Sequence, residues 1–146
     1  MTVLDSHAPE GDPEVLITDT AVSMPTVEDI GAGRGPSWLD DWLSGSIPDI
    51  VAWYRHIHAH PELSRQEFQT TQLLATMLAS AGLQPIIGPT GTGLICDVGA
   101  GDRCVALRAD IDALPLQEAT GLPFASRVDG VAHSCGHDAH TTILLA

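Results

Sequence analysis

His133-Ser134-Cys135-Gly136-His137-Asp138-Ala139-His140 gathers three imidazoles, a thiol and a carboxylate into eight residues. Thiolate, imidazole and carboxylate together suit a borderline ion such as Zn²⁺. The block therefore reads as part of a metal site. Cys135 and His137 flank a glycine. Alternate residues of a turning loop can face one ion, and Gly136 lets the backbone bend close to it. These two are the candidate ligands. Asp138 stands where a carboxylate would cap a following helix, and it can equally hold a ligand imidazole in the right tautomer. His140 can pack on a sheet or bond a carboxylate near the site. His133 is either a site residue or a plain loop histidine. A helix is expected to open at His137 or Asp138. The sequence stops at Ala146 inside it, so the expectation is a site that this chain does not complete.

Upstream lies Arg108-Ala109-Asp110-Ile111-Asp112-Ala113-Leu114-Pro115, with two carboxylates at the end of an apolar run. On a strand, i and i+2 share a face. Asp110 and Asp112 can then both line a site beyond the strand end. The competing reading pairs one with Arg108 and leaves the other to cap a turn. Residues 93–98 and 103–111 are expected to form an antiparallel hairpin across the turn Gly99-Ala100-Gly101-Asp102. Residues 112–134 read as loop, marked by Pro115, Gly121, Pro123 and Gly130.

Three helices are expected before the hairpin. Trp38, Leu39, Trp42 and Leu43 recur at helical spacing. Ser46 can cap a second helix that ends or bends at Pro61, with Ile50, Val51, Tyr54 and Ile57 or His58 on its apolar face. Ser64-Arg65-Gln66-Glu67 fits a capping box for the third. Its stripe is Phe68, Thr71, Leu74, Met77, Leu78 and Ala81, and Gly82 is a left-handed stop. His56 and His60 stand one turn apart, as in a helical metal pair. Pro61 argues against a rigid site there, and these histidines read as bonding the backbone at a helix end.

The 146 residues carry a formal net charge of −13, with six arginines and no lysine. Nucleic acid and anionic membranes need a basic footprint, so neither is an expected partner. Ten of the nineteen acids fall in residues 1–50 against the single Arg34. Residues 1–36, rich in Pro and Gly as well, read as a solvated, disordered acidic extension. The folded part is expected over 37–146. Three cysteines do not make a disulfide framework. Cys96 and Cys104 read as buried small hydrophobes. No membrane-length apolar stretch and no signal-type start are visible, which makes the cytoplasm the expected location.

Four blocks resemble, in order and at similar spacing, the N-acyl-amino-acid amidohydrolases. These form the hippurate hydrolase and auxin-conjugate hydrolase branch of the aminoacylase/carboxypeptidase-like metallopeptidases. The blocks are Tyr54-Arg55-His56-Ile57-His58-Ala59-His60-Pro61-Glu62-Leu63-Ser64, Thr90-Gly91-Thr92-Gly93, Leu107 to Leu116, and His133 to His140. The resemblance covers about residues 38–146. It implies an α/β fold, the N-terminal part of a zinc-peptidase-like catalytic domain with helices packed on a mixed sheet.

The resemblance also implies a centre of two divalent ions, Zn²⁺ or Mn²⁺ with Co²⁺ or Ni²⁺ as options. Cys135 and His137 would be ligands, with Asp110, Asp112, Asp138 and His140 lining or supporting the site. The implied substrate is an N-acyl amino acid. The general base of that family is a glutamate placed after the last block, so none is assigned within these residues and the chain is expected to be inactive alone. Two further readings stand beside this one: a two-chain enzyme whose second polypeptide supplies the rest, and a non-catalytic remnant or metal- or partner-binding module.

Overall fold

A computed structural model describes residues 37–146. The acidic extension over 1–36 lies outside the described residues. By compactness the chain divides into Met1–Asp40 and Asp41–Ala146, and the account below concerns the second unit.

Helix α1 spans Ser37–Ala59 and is continuous, where two short helices were expected. Pro48 lies inside it. A proline removes one N–H from the helical ladder, and the apolar spacing on either side carries the helix through. Pro61 does stop it.

Helix α2 spans Phe68–Ser80, four residues later than the expected start. The capping box does not form: Glu67 makes no side-chain cap bond, and its carboxylate instead accepts from Arg65 N at 2.9 Å. The cap comes from Glu62. Its carboxylate accepts from Gln69 N (3.1 Å), Thr70 N (2.7 Å) and Thr70 Oγ1 (2.8 Å). A negative charge there also suits the positive end of the helix. The buried face is Thr70, Thr71, Leu74 and Ala75.

Strands β1 (Ile86–Ile87) and β2 (Leu94–Ile95) pair antiparallel, with Ile86 opposite Ile95. This is not the expected hairpin. Residues 94–95 pair backwards to 86–87, and 103–111 forms no strand. The turn favours the backward partner. Gly88 N donates to Gly93 O at 2.9 Å, and a Cβ at Gly88 would sit 2.7 Å from Thr92 O, so the chain closes only around glycine. Thr71 Oγ1 accepts from Gly93 N at 2.9 Å and ties this turn to α2. Cys96 is only half-buried and Cys104 is exposed. Val105 and Leu107 beside it are also exposed, which corrects the expectation of buried thiols.

Residues 112–134 are held by two isolated bridges, Leu63 with Ala113 and Leu114 with Ala132. Helix α3 spans His137–Leu145. Beside the buried face of α2, the buried residues cluster where α1, this loop and α3 meet: Ile57, Ala59, Ala113 and Ala132 with His58, His133, Asp138, Thr141 and Thr142. Polar groups thus occupy the best-buried part of the described unit. No helix among the described residues is long and apolar enough to cross a membrane.

Candidate metal centre

Gly136 occupies the N-cap of α3 at φ 95°, in the left-handed region, which penalises any Cβ. That turn presents Cys135 just before the helix and His137 at its first position. His137 Nδ1 lies 3.0 Å from both the main-chain oxygen and Oδ1 of Asp112. A carbonyl oxygen only accepts, so Nδ1 carries the proton and Nε2 carries the lone pair. That lone-pair nitrogen is 3.3 Å from Cys135 Sγ.

The pair suits a tetrahedral ion. Ligands at about 2.3 Å (sulfur) and about 2.0–2.1 Å (nitrogen) on such an ion stand about 3.5 Å apart. Asp112 fixes the imidazole tautomer as carboxylates commonly do behind zinc-binding histidines. Among the described residues no group of three or more His, Cys, Asp or Glu side chains is placed to hold one metal ion. These residues therefore offer two donors.

The other sequence-derived candidates separate. Asp110 does not face His137. Its carboxylate pairs with the exposed Arg108, and its main-chain oxygen accepts from Thr141 Oγ1 at 3.0 Å. His140 is exposed, its ring centroid 6.5 Å from that of His137. Asp138 is not the cap. It is 3% exposed, and its Oδ2 lies 2.7 Å from Nδ1 of His58. The imidazole it holds is thus one outside the candidate ligand pair.

His58 is the residue that sequence reasoning passed over. Its Nε2 lies 3.2 Å from Glu118 Oε1, so its two nitrogens face two carboxylates. Glu118 also accepts from Ser126 N and Thr120 Oγ1. Tyr54 and Phe124 pack against the His58 ring, at 5.7 and 5.4 Å between centroids. Burial pulls the His58 pKa down, but the hydrogen bonds and charges of Asp138 and Glu118 outweigh it, and the net shift is upward. Glu118 is shifted downward, first by the Ser126 N–H and then by Thr120 and His58. A signal existed in the sequence: His58 falls on the apolar face of α1, one turn after Tyr54, where a histidine needs buried partners. His60 does what was expected of all three helix-end histidines, donating from Nδ1 to His56 O at 2.7 Å.

His133 is buried, and its Nε2 has no hydrogen-bond partner. Burial is the main reason its pKa falls below the ordinary value. The ring is therefore neutral at pH 7, and its centroid lies 6.5 Å from that of His58.

Comparison with known proteins finds the chain similar to metal-binding peptidases and amidohydrolases. Residues 106–146 match the family model of Peptidase family M20/M25/M40. A solved Bacillus subtilis dinuclear metal binding peptidase from the M20 family superposes with a TM-score of 0.64 at 44% identity. The match covers 67% of this chain and 28% of that one. The described residues are similar in fold to a fraction of that α/β peptidase, and the chain resembles the N-acyl-amino-acid amidohydrolases.

Two individual relatives give the particulars. An N-acyl-L-amino acid amidohydrolase of Geobacillus stearothermophilus is 48% identical over 99 residues, 66% of this chain and 27% of the relative. A Rhodococcus jostii protein named as a glutamate–cysteine ligase is 59% identical over 116 residues, 77% of this chain and 15% of the relative. The chain thus spans between about a seventh and three tenths of the length of the proteins it matches.

Proposed function

We propose that this chain supplies part of the active site of a metal-dependent amidohydrolase acting on N-acyl amino acids. The observation that carries the reading is the convergence of Cys135 Sγ and His137 Nε2, with the far side of the imidazole pinned by Asp112. The solved relative is named as dinuclear, and two divalent ions, Zn²⁺ or Mn²⁺ (Co²⁺ or Ni²⁺ as alternatives), are the reading here too. Such ions, when bound, polarise an amide carbonyl and make bound water a nucleophile near neutral pH.

The residues of this chain have narrower tasks. Cys135 and His137 hold the metal. Asp112 keeps His137 in the Nδ1–H tautomer, so that Nε2 stays free. Gly136 sets the turn that points both donors the same way. Asp110, paired with Arg108, and His140, exposed on the first turn of α3, are read as lining the approach and not as holding the ion. No glutamate of this chain is assigned as the general base.

Residues 37–146 are read as the N-terminal part of the catalytic domain, and 1–36 as an acidic extension to it. The exposed run with Val105 and Leu107 supports a domain larger than these residues. The name of the Rhodococcus jostii relative does not decide the matter, because only 15% of that protein is matched. Three free cysteines suit a reducing compartment such as the cytoplasm.

The test is hydrolysis of a panel of N-acyl amino acids with added Zn²⁺ or Mn²⁺, beside a Cys135→Ala control. It is run with the protein alone and with the remainder of the catalytic domain co-expressed. Activity that the control loses supports the reading. Metal binding without hydrolysis under either condition would replace it with a metal-binding module.

A further inference from the structure

We propose that His58 is a positioning residue for the Cys135–His137 centre, bridging Asp138 and Glu118 so that helix α1 sets the placement of the first turn of α3. This rests on the metal-binding reading of the Cys135–His137 loop.

The argument starts from hydrogen counting. His58 places Nδ1 2.7 Å from Asp138 Oδ2 and Nε2 3.2 Å from Glu118 Oε1. A neutral imidazole has one N–H, and its other nitrogen would aim a lone pair at a carboxylate. The imidazolium has two N–H groups and satisfies both. The three side chains are nearly sealed, at 8%, 6% and 3% exposure for His58, Glu118 and Asp138. Charged hydrogen bonds at such sites are short and directional, so the triad fixes distances between three separate pieces of chain.

Those pieces define the proposal. His58 comes from the last turn of α1. Glu118 is anchored from behind by Ser126 N and Thr120 Oγ1 in the loop over 112–134. Asp138 follows His137 directly in sequence. A shift of Asp138 therefore moves His137, whose Nδ1 must stay 3.0 Å from Asp112. The triad and Asp112 hold neighbouring residues of one helical turn from two directions. Without His58, two carboxylates would face each other across a buried gap, and their repulsion would act on that turn.

The remaining titratable groups facing His58 are Tyr54, one turn earlier on α1, and His133. Burial, Asp138 and Glu118 raise the Tyr54 pKa, so it stays neutral. His133 is held neutral by burial.

The experiment has two arms, both with the remainder of the proposed catalytic domain co-expressed. In the first, the side-chain nitrogens of His58 are observed by ¹⁵N NMR at pH 7. Two protonated nitrogens are expected, and a neutral tautomer overturns the proposal without any variant having to fold. In the second, Co²⁺ is titrated, and the thiolate–cobalt absorption band and the d–d bands are followed. The comparison includes wild type, Cys135→Ala, His58→Gln and Glu118→Gln, each with a melting curve.

His58→Gln is expected to weaken Co²⁺ binding on the order of tenfold or more and to move the d–d bands. Glu118→Gln, which keeps a hydrogen-bond acceptor, is expected to fall between it and wild type. A folded His58→Gln with wild-type affinity and bands would make His58 merely structural and overturn the inference. Failure of wild type to bind Co²⁺ through Cys135 would instead overturn the metal-binding reading, and this proposal with it.

Discussion

Two parts of the Asp41–Ala146 unit are built on opposite principles. Where α1, the loop over 112–134 and α3 meet, charged and polar groups are paired away from solvent: His58 with Asp138 and Glu118 and Thr142 Oγ1 with Asp138 O, buried, and His137 with Asp112, half-buried. From Leu94 to Leu107 the pattern inverts. Apolar side chains are exposed, with Ile95 at 70%, Val105 at 84% and Leu107 at 76%, and a single two-residue strand pair is the only sheet among the described residues. Normal domains bury the second kind of residue and expose the first. The polar region is self-consistent as it stands, whereas the apolar region has the composition of a buried strand without the cover that would make it one. The candidate metal loop belongs to the first region, so its geometry is specified by groups already in place.

The sharpest way to break the comparison is to remove the cation from the polar region. His58→Ala leaves two buried carboxylates without their shared partner. A loss of about 3–5 kcal/mol of stability is expected, read from the midpoint of urea unfolding. A loss below about 1 kcal/mol would mean that water enters the triad freely, and the contrast between the regions would collapse.

The same triad gives a pH signature. The His58 pKa is raised above its ordinary 6.5, so its contribution is complete below 6.5 and is lost as pH rises through the raised value. The Glu118 pKa is lowered from its ordinary 4.5, so its contribution is complete above 4.5 and is lost as pH falls through the lowered value. His133, lowered from 6.5 by burial, acts the other way: its neutral form is stable above 6.5, and stability falls as it is forced to charge at lower pH. Wild type alone therefore mixes two histidines. The difference in melting temperature between wild type and His58→Gln removes most of the His133 effect. It is expected to be largest between pH 4.5 and 6.5 and to shrink at higher pH. A difference that grows with pH would mean a neutral His58.

Gly136 offers a smaller and more local test. At φ 95° an alanine costs about 1–2 kcal/mol, because its Cβ meets the following carbonyl. Space is not the obstacle, since the nearest atom to such a Cβ is His140 Cε1 at 3.9 Å. Gly136→Ala is thus expected to fold, with a melting temperature a few degrees lower, and to bind Co²⁺ more weakly as the turn relaxes. Unchanged binding would show that the turn does not aim Cys135 and His137.

What could be read from the sequence follows the same division. The start of α3 at His137, the bent glycine between two donors and the stop of α2 at the left-handed Gly82 rest on local chemistry and could be anticipated from a few adjacent residues. The cap of α2 could not, because Glu62 acts from outside the helix while a plausible local pattern, Ser64 to Glu67, competes for the same role. The hairpin was misassigned for a related reason. Residues 103–111 have the apolar content of a strand, but a strand needs a partner, and pairing is a property of the fold. Asp110 and Asp112 were two apart on one expected face. Without a ladder to hold that face, Arg108 takes one and His137 the other. His58 lay 80 residues from Asp138 and 60 from Glu118, separations at which no spacing rule operates. What was visible was only that a histidine sat on an apolar face.

The smallest effect expected is also the one that most sharpens the contrast. Leu107→Ser removes a large apolar side chain that the structure shows at 76% exposure. Little hydrophobic burial is lost at such a position, and the stability change is expected to stay within about 0.5 kcal/mol. Leu74→Ala, a buried position on α2 at 7% exposure, is the control at about 2–5 kcal/mol. Should Leu107→Ser approach the control, then the 103–111 run is covered in solution by something outside the described residues. The same pair of variants measured with the remainder of the proposed catalytic domain present would then identify the cover. A Leu107→Ser cost that appears only in the larger protein means that this run becomes an interior strand there, and that the apolar region is completed by pairing while the His58 triad is already paired within these residues.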